Sequence, residues 1–255
     1  MIIKIVYNDT MKIILTLFIA ILSLYAQQIN VAVAANVSYA MPALIKAFEK
    51  QHPDITVETT LGGSGKLTAQ IKNGAPYDIF MSANMKYPQA LYKEDLAITK
   101  PRIYAEGALA ILSTKERDFS QGMNIVKSVN IIAIANPKTA PYGAATVEAL
   151  KNAKLYNEIK NKFVYGQSIA QTVAFTMTAA DIGFIAKSAL YSSKMKRFQK
   201  ERNYIEVPSK LYTPIKQGIV LLKRAKGNQA ADAFYTFIAT PEARKIFHNY
   251  GYTLP

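Results

Sequence analysis

The stretch Thr60-Leu-Gly-Gly-Ser-Gly-Lys-Leu-Thr-Ala-Gln-Ile71 decides how this chain folds. Alternating residues from Ile55 to Leu61 predict a strand, and a helical pattern follows from about Lys66 to Asn73. The turn between them, with Gly62, Gly63 and Gly65, looks like a nucleotide phosphate loop. That loop requires Gly, four residues, Gly-Lys, then Ser or Thr. Counting back from Gly65-Lys66 puts Thr60 where the first glycine belongs, and Leu67 stands in place of the magnesium-binding hydroxyl. The stretch is therefore read as strand, tight turn and helix start, with Ser64 at the start of the helix.

The same unit recurs outward in both directions. Ile29–Ala35 reads as a buried strand. Met41, Leu44, Ile45 and Phe48 recur at helical spacing and predict a helix over 38–51. Tyr77–Met81 reads as a third strand and Lys86–Lys93 as a short helix. This β-α-β-α-β opening predicts a mostly parallel sheet. A second set opens at Leu109–Leu112, with strands expected at 131–135, 163–165, 182–186 and 219–222. Helices are expected at 143–153, 168–177 and 228–239. A last one starts at Thr240-Pro241-Glu242, where threonine caps and proline takes the first helical position. The result is an α/β chain of two lobes, mostly parallel sheets flanked by helices, with a cleft between. Residues 27–105 and 216–255 are assigned to lobe I and 106–215 to lobe II. The crossings near 105–108 and 214–218 would form the hinge.

The chain has 255 residues, half of them hydrophobic and 19% charged, which suits a packed core. Lys4 and Lys12 precede an apolar run ending at Ala26, short for a membrane span. Residues 1–26 are expected to be a cleavable signal peptide, with Met11 as a second candidate start. The absence of cysteine leaves no lipid attachment site and no disulfide. Export to the periplasm as a soluble monomer is the expectation. The net charge is +14, which favours anionic partners in general. Its densest cluster, Lys194–Arg202, reads as a solvated helix or loop. No nucleic-acid motif accompanies it.

Enzymatic chemistry finds little support. The two histidines, His52 and His248, lie far apart in sequence, and cysteine catalysis is excluded. The Gly-x-Ser-x-Gly elbow is incomplete at Gly63-Ser64-Gly65 and at Gly166-Gln167-Ser168. No metal ligand set or cofactor is expected. What does recur is a small, polar turn between strand and helix: Asn36-Val37-Ser38, Gly63-Ser64-Gly65, Pro141-Tyr142-Gly143 and Gln167-Ser168-Ile169. Each alone reads as an ordinary cap. Helix starts also carry unpaired N–H groups and a partial positive charge. Four such turns at the carboxyl ends of strands would enclose a small oxyanion.

At this level of detail the chain resembles the periplasmic molybdate-binding proteins that serve ABC transporters. The likeness is carried by Ala34-Ala-Asn-Val-Ser-Tyr-Ala-Met41, by Gly63-Ser64-Gly65, and by Gly74-Ala-Pro-Tyr-Asp-Ile-Phe-Met-Ser-Ala83. Asn136-Pro137, Pro141-x-Gly143, Glu148-Ala-Leu150, Gly183 and the ending Ile246–Leu254 extend it over nearly the whole mature chain. The resemblance implies a type II periplasmic binding fold and a molybdate or tungstate ligand. It also implies delivery of that ligand to a membrane permease. It assigns oxyanion binding to Asn36 and Ser64 from one lobe, and to Tyr142 and the backbone N–H of Ile169 from the other. Ser38 is a further candidate. Some members of the family carry serine at the place of Asn36, alanine at that of Tyr142 and a tyrosine at that of Ala186. Here the phenol is expected to come from Tyr142 instead. Sulfate, phosphate and iron remain the competing ligands.

Overall fold

The computed structural model describes residues 27–254 of the chain. The signal peptide expected over 1–26 lies outside the described residues. Ten strands fall into two five-stranded sheets. In chain order the strands are β1 Gln27–Ala34, β2 Ile55–Gly62, β3 Ile79–Ser82, β4 Arg102–Gly107 and β5 Leu109–Leu112. They continue with β6 Ile132–Ala135, β7 Phe163–Gly166, β8 Ile182–Ala186, β9 Tyr204–Glu206 and β10 Ile215–Leu221. The α-helices are α1 Met41–Gln51, α2 Ser64–Lys72, α3 Lys86–Lys93, α4 Pro141–Asn152, α5 Tyr156–Ile159, α6 Ile169–Thr178, α7 Gln229–Phe237 and α8 Pro241–Asn249.

The first sheet has the order β2-β1-β3-β10-β4 and the second β7-β6-β8-β5-β9. Both are mixed, with four strands running one way and a single strand, β10 or β5, running against them. The β-α-β units supply the parallel pairs β1–β2, β1–β3, β6–β7 and β6–β8. β10 enters the first sheet antiparallel to β3 and β4, and β5 enters the second antiparallel to β8 and β9. The physical reason is the route of the chain. It leaves the first sheet along β4, begins the second with β5 two residues later, and returns along β10. β4 keeps the direction of β1–β3, whereas β5 and β10, the strands on which the chain enters a sheet after crossing over, run against their neighbours.

Covered strands read as unbroken apolar runs. β3, β6 and β8 are buried at every position because helices pack on both faces. Helix α1 buries Met41, Leu44 and Phe48 against α7 and α8, where Phe48 meets Phe234 edge to face at 5.0 Å. The predicted cap forms, with Thr240 Oγ1 accepting from Ala243 N–H, and Asn228 Oδ1 caps α7 in the same way, accepting from Ala230 and Ala231 N–H. The helix expected from residue 38 instead begins as a 3-10 turn, Ala35–Tyr39, and α1 starts at Met41 beside Pro42. The basic segment 194–202 is mostly exposed, with Met195 tucked into the core.

Candidate functional site

The parallel registers gather the polar turns. Ala34 pairs with Gly62 and Val33 with Met81, so β1, β2 and β3 end along one edge. In the second sheet Ala135 pairs with Gly166, so β6 and β7 end together as well. The loops that follow these strands face one another. They line one small pocket with Ala34, Ala35, Asn36, Gly62, Gly63, Ser64, Ala83, Ala140, Pro141, Tyr142 and Ile169. Four of the five residues proposed from sequence thus come together: Asn36, Ser64, Tyr142 and Ile169. Ser38 does not line the pocket and lies half-buried on the 3-10 turn.

Three helix starts converge here. Ser64 and Ile169 are the first residues of α2 and α6. In α4 proline takes the first position and Tyr142 the second. Amides in these positions have no intrahelical acceptor, and proline has none to offer, so α4 presents Tyr142 first. The pocket volume is about 10 Å³. That is about the room of one water, which marks a small, tightly walled site. None of the lining residues is charged.

The polar side chains are held in set directions. Ser64 Oγ accepts from Ala83 N–H at 3.0 Å, which leaves its own proton to donate. Tyr142 is 1% exposed, and its hydroxyl accepts from Gln217 Nε2 at 3.4 Å. Both Asn36 Nδ2 protons are engaged, with Gln217 Oε1 at 2.8 Å and Tyr252 OH at 3.1 Å. The Asn36 carbonyl accepts from Tyr252 OH at 2.7 Å and Ser188 Oγ at 2.9 Å. Asn36 Oδ1 is buried without a partner. Burial pushes the Tyr142 and Tyr104 phenols well above their ordinary 10.0, and neighbouring phenols add to the effect. Burial raises Tyr252 to about 12, against opposing hydrogen bonds from Ser188 and Asn36. These phenols stay protonated.

The two sides touch around the pocket. Gly65 N–H donates to the Thr139 carbonyl at 2.9 Å. A Cβ at Gly63 would stand 2.7 Å from the Gln167 carbonyl oxygen, so glycine permits the approach. Lys66 is exposed and outside the lining. Sequence reasoning missed Gln217, Tyr104, Tyr252 and Ser188, which surround the pocket from behind. They lie on β10, β4, the C-terminal tail and the turn after β8, and none sits in a turn between a strand and an α-helix, the feature that marked the others; the glycine turn before Tyr252, at Gly251, ends a helix instead.

Comparison with known proteins agrees with this geometry. The family described as bacterial extracellular solute-binding protein matches residues 29–253. The molybdate-binding protein of Azotobacter vinelandii is 38% identical over 233 residues, 90% of this chain and 91% of that one. The molybdate-binding protein of Rhodobacter capsulatus is 36% identical over 231 residues, 89% of this chain and 88% of that one. The solved structure of the A. vinelandii periplasmic molybdate-binding protein superimposes with a TM-score of 0.82, at 31% identity, over 89% of this chain and 99% of that one. With the fold, the pocket and these likenesses in agreement, the chain belongs to the bacterial extracellular solute-binding proteins.

Proposed function

We propose that this protein is a periplasmic binding protein that captures molybdate or tungstate between two lobes and hands it to the membrane permease of an ABC transporter. Residues 27–105 and 216–255 form lobe I and 106–215 form lobe II, hinged at the two crossings, and the protein acts as a monomer. The observation that carries the reading is the convergence of Asn36, Ser64, Tyr142 and Ile169, from four separate turns, on one small uncharged pocket.

Each residue has a donor to give. Ser64 and Tyr142 donate their hydroxyl protons, because their oxygens already accept from Ala83 N–H and Gln217 Nε2. Ile169 donates its backbone N–H from the start of α6. Asn36 donates its backbone N–H, since its side-chain protons are engaged elsewhere. Ser38, outside the lining, has no part in the ligand set. Hydrogen bonds to a dianion are charge-assisted, so several neutral donors hold it without a buried lysine or arginine. The absence of a full counter-charge keeps release to the permease feasible. The pocket lining holds one phenol, Tyr142, and no carboxylate, a donor set that suits an oxyanion better than iron.

Calorimetric titration of the refolded, ligand-free protein tests the reading. Heat is expected from molybdate and tungstate. Heat from sulfate alone overturns the ligand, and heat from none of molybdate, tungstate, sulfate and phosphate overturns the class.

A further inference from the structure

We infer that Gln217, on the strand that returns the chain to the first sheet, is a positioning residue. It fixes the direction of the pocket's hydrogen bonds and joins the two sides of the site. This inference rests on the oxyanion reading above and deepens it.

Gln217 is fully buried and lies outside the pocket lining. Its two ends do different work. Oε1 accepts from Asn36 Nδ2 and from Tyr104 OH, both at 2.8 Å. Nε2 donates to Tyr142 OH at 3.4 Å. Asn36 follows β1 of the first sheet, whereas Tyr142 opens α4 beside the second. One amide therefore touches a proposed ligand residue from each side.

Two backbone features make room for it. The β10–β4 register shifts between Gln217 and Gly218, a bulge of the kind that re-aims a side chain. On the neighbouring strand Gly107, which pairs with Ile215, has no side chain; a Cβ there would overlap the Tyr142 hydroxyl and stand 2.7 Å from Gln217 Nε2. Only glycine at 107 lets the phenol and the amide meet there.

The polarity follows from donor counting. A phenol oxygen that accepts from an amide N–H keeps its own proton to donate. Gln217 thus turns Tyr142 into a donor toward the pocket. A carboxylate at 217 would do the reverse. It would accept the Tyr142 proton and place a buried negative charge beside a dianion.

The test is molybdate calorimetry on the full protein, with ligand-free melting as the fold control, on Gln217→Met, Gln217→Glu, Tyr142→Phe and the double variant Tyr142→Phe/Gln217→Met. Gln217→Met is expected to bind about tenfold more weakly, the scale of one hydrogen bond to a charged group. The double variant should bind within about twofold of Tyr142→Phe alone, because the two residues act in series. Gln217→Glu should lose about a hundredfold at pH 8 and recover toward pH 6, relative to the unsubstituted protein at each pH. Protonation makes the carboxyl a donor again, and a merely structural role would give no such recovery. As a measurement free of substitution, molybdate should shift the Gln217 side-chain amide resonances in nitrogen-15 spectra. Undiminished binding in Gln217→Met, full additivity with Tyr142→Phe, or unmoved Gln217 resonances would each overturn the inference alone. No heat with the unsubstituted protein would overturn the oxyanion reading and this inference with it.

Discussion

Gly65 and Thr139 meet beside the pocket, where the Gly65 N–H donates to the Thr139 carbonyl at 2.9 Å. One residue belongs to the first turn of α2 and the other to the approach to α4, so the bond ties the two sides together. A Cβ on Gly65 would stand 2.8 Å from Tyr87 OH and 2.9 Å from the Thr139 carbonyl oxygen. The phenol can swing away, but the backbone carbonyl cannot. Gly65→Ala is therefore expected to hold the two sides apart. Molybdate binding should weaken about tenfold or more, the consequence of ~1–3 kcal/mol of overpacking in the closed form. Ligand-free melting should barely change, because neither core is touched. Calorimetry with unaltered affinity would show that the contact is not part of the bound state.

The hydroxyls of Ser64 and Tyr142 should each matter in proportion to a charge-assisted bond. Tyr142→Phe removes one donor and leaves the ring in place. It should weaken molybdate binding by about tenfold to a hundredfold, from ~1.5–3 kcal/mol for a hydrogen bond to a charged group. Ser64→Ala should cost at least as much, because it also leaves the Ala83 N–H without its acceptor. Calorimetry at fixed salt reads both losses. A Tyr142→Phe protein with undiminished affinity would remove the phenol from the ligand set.

Much of this site was legible in sequence because strand–turn–helix junctions announce themselves. Gly63-Ser64-Gly65 and Pro141-Tyr142 carry glycine and proline where a helix starts close to another backbone. Parallel strands then bring their carboxyl ends to one edge without further instruction. Gln217 gave no such sign. It follows the exposed Lys216 in β10 and so reads as one more polar residue before the apolar run 219–221, and its partners Asn36 and Tyr142 lie 181 and 75 residues away. Strand β4 was also unread, since Arg102 and Glu106 interrupt its apolar pattern, and its place at the sheet edge demands no continuous run. The mixed strand directions escaped for a related reason. They follow from the route of the chain between sheets, which local periodicity does not encode.

The buried phenols set an alkaline limit on stability. Tyr104, Tyr142 and Tyr252 all have folded-state values above 10.0, with Tyr252 at about 12. Below pH 10 a phenol is neutral in the folded and the unfolded chain alike, so the contribution of each is fully present. Above pH 10 the unfolded chain ionises first and binds fewer protons, and stability falls as pH climbs toward 12. The melting temperature should drop steeply over that interval. Molybdate affinity should show no loss from phenol ionisation between pH 7 and 10. Ultraviolet titration of phenolate absorbance should reveal a late-titrating class that shrinks by one in Tyr142→Phe. A binding loss centred near pH 10 would mean that the pocket phenol is not shielded.

Lys66 is the residue that made the opening turn look like a phosphate loop, and the structure puts it on the exposed face of the first turn of α2, outside the pocket lining. A charge in that place acts on the approach of an anion rather than on its final contacts. Lys66→Ala is expected to leave the equilibrium affinity for molybdate within about twofold at physiological salt, where the screening length is ~8 Å. At low salt the association rate should fall a few-fold, and the difference should vanish as salt rises. The chain has 16 tyrosines and no tryptophan, so stopped-flow tyrosine fluorescence can follow binding without an added label. A tenfold loss of affinity that persists in high salt would place the ammonium in contact with the anion. Ser64 and Tyr142 would then share the ligand with a full counter-charge, and the case for neutral capture would fail.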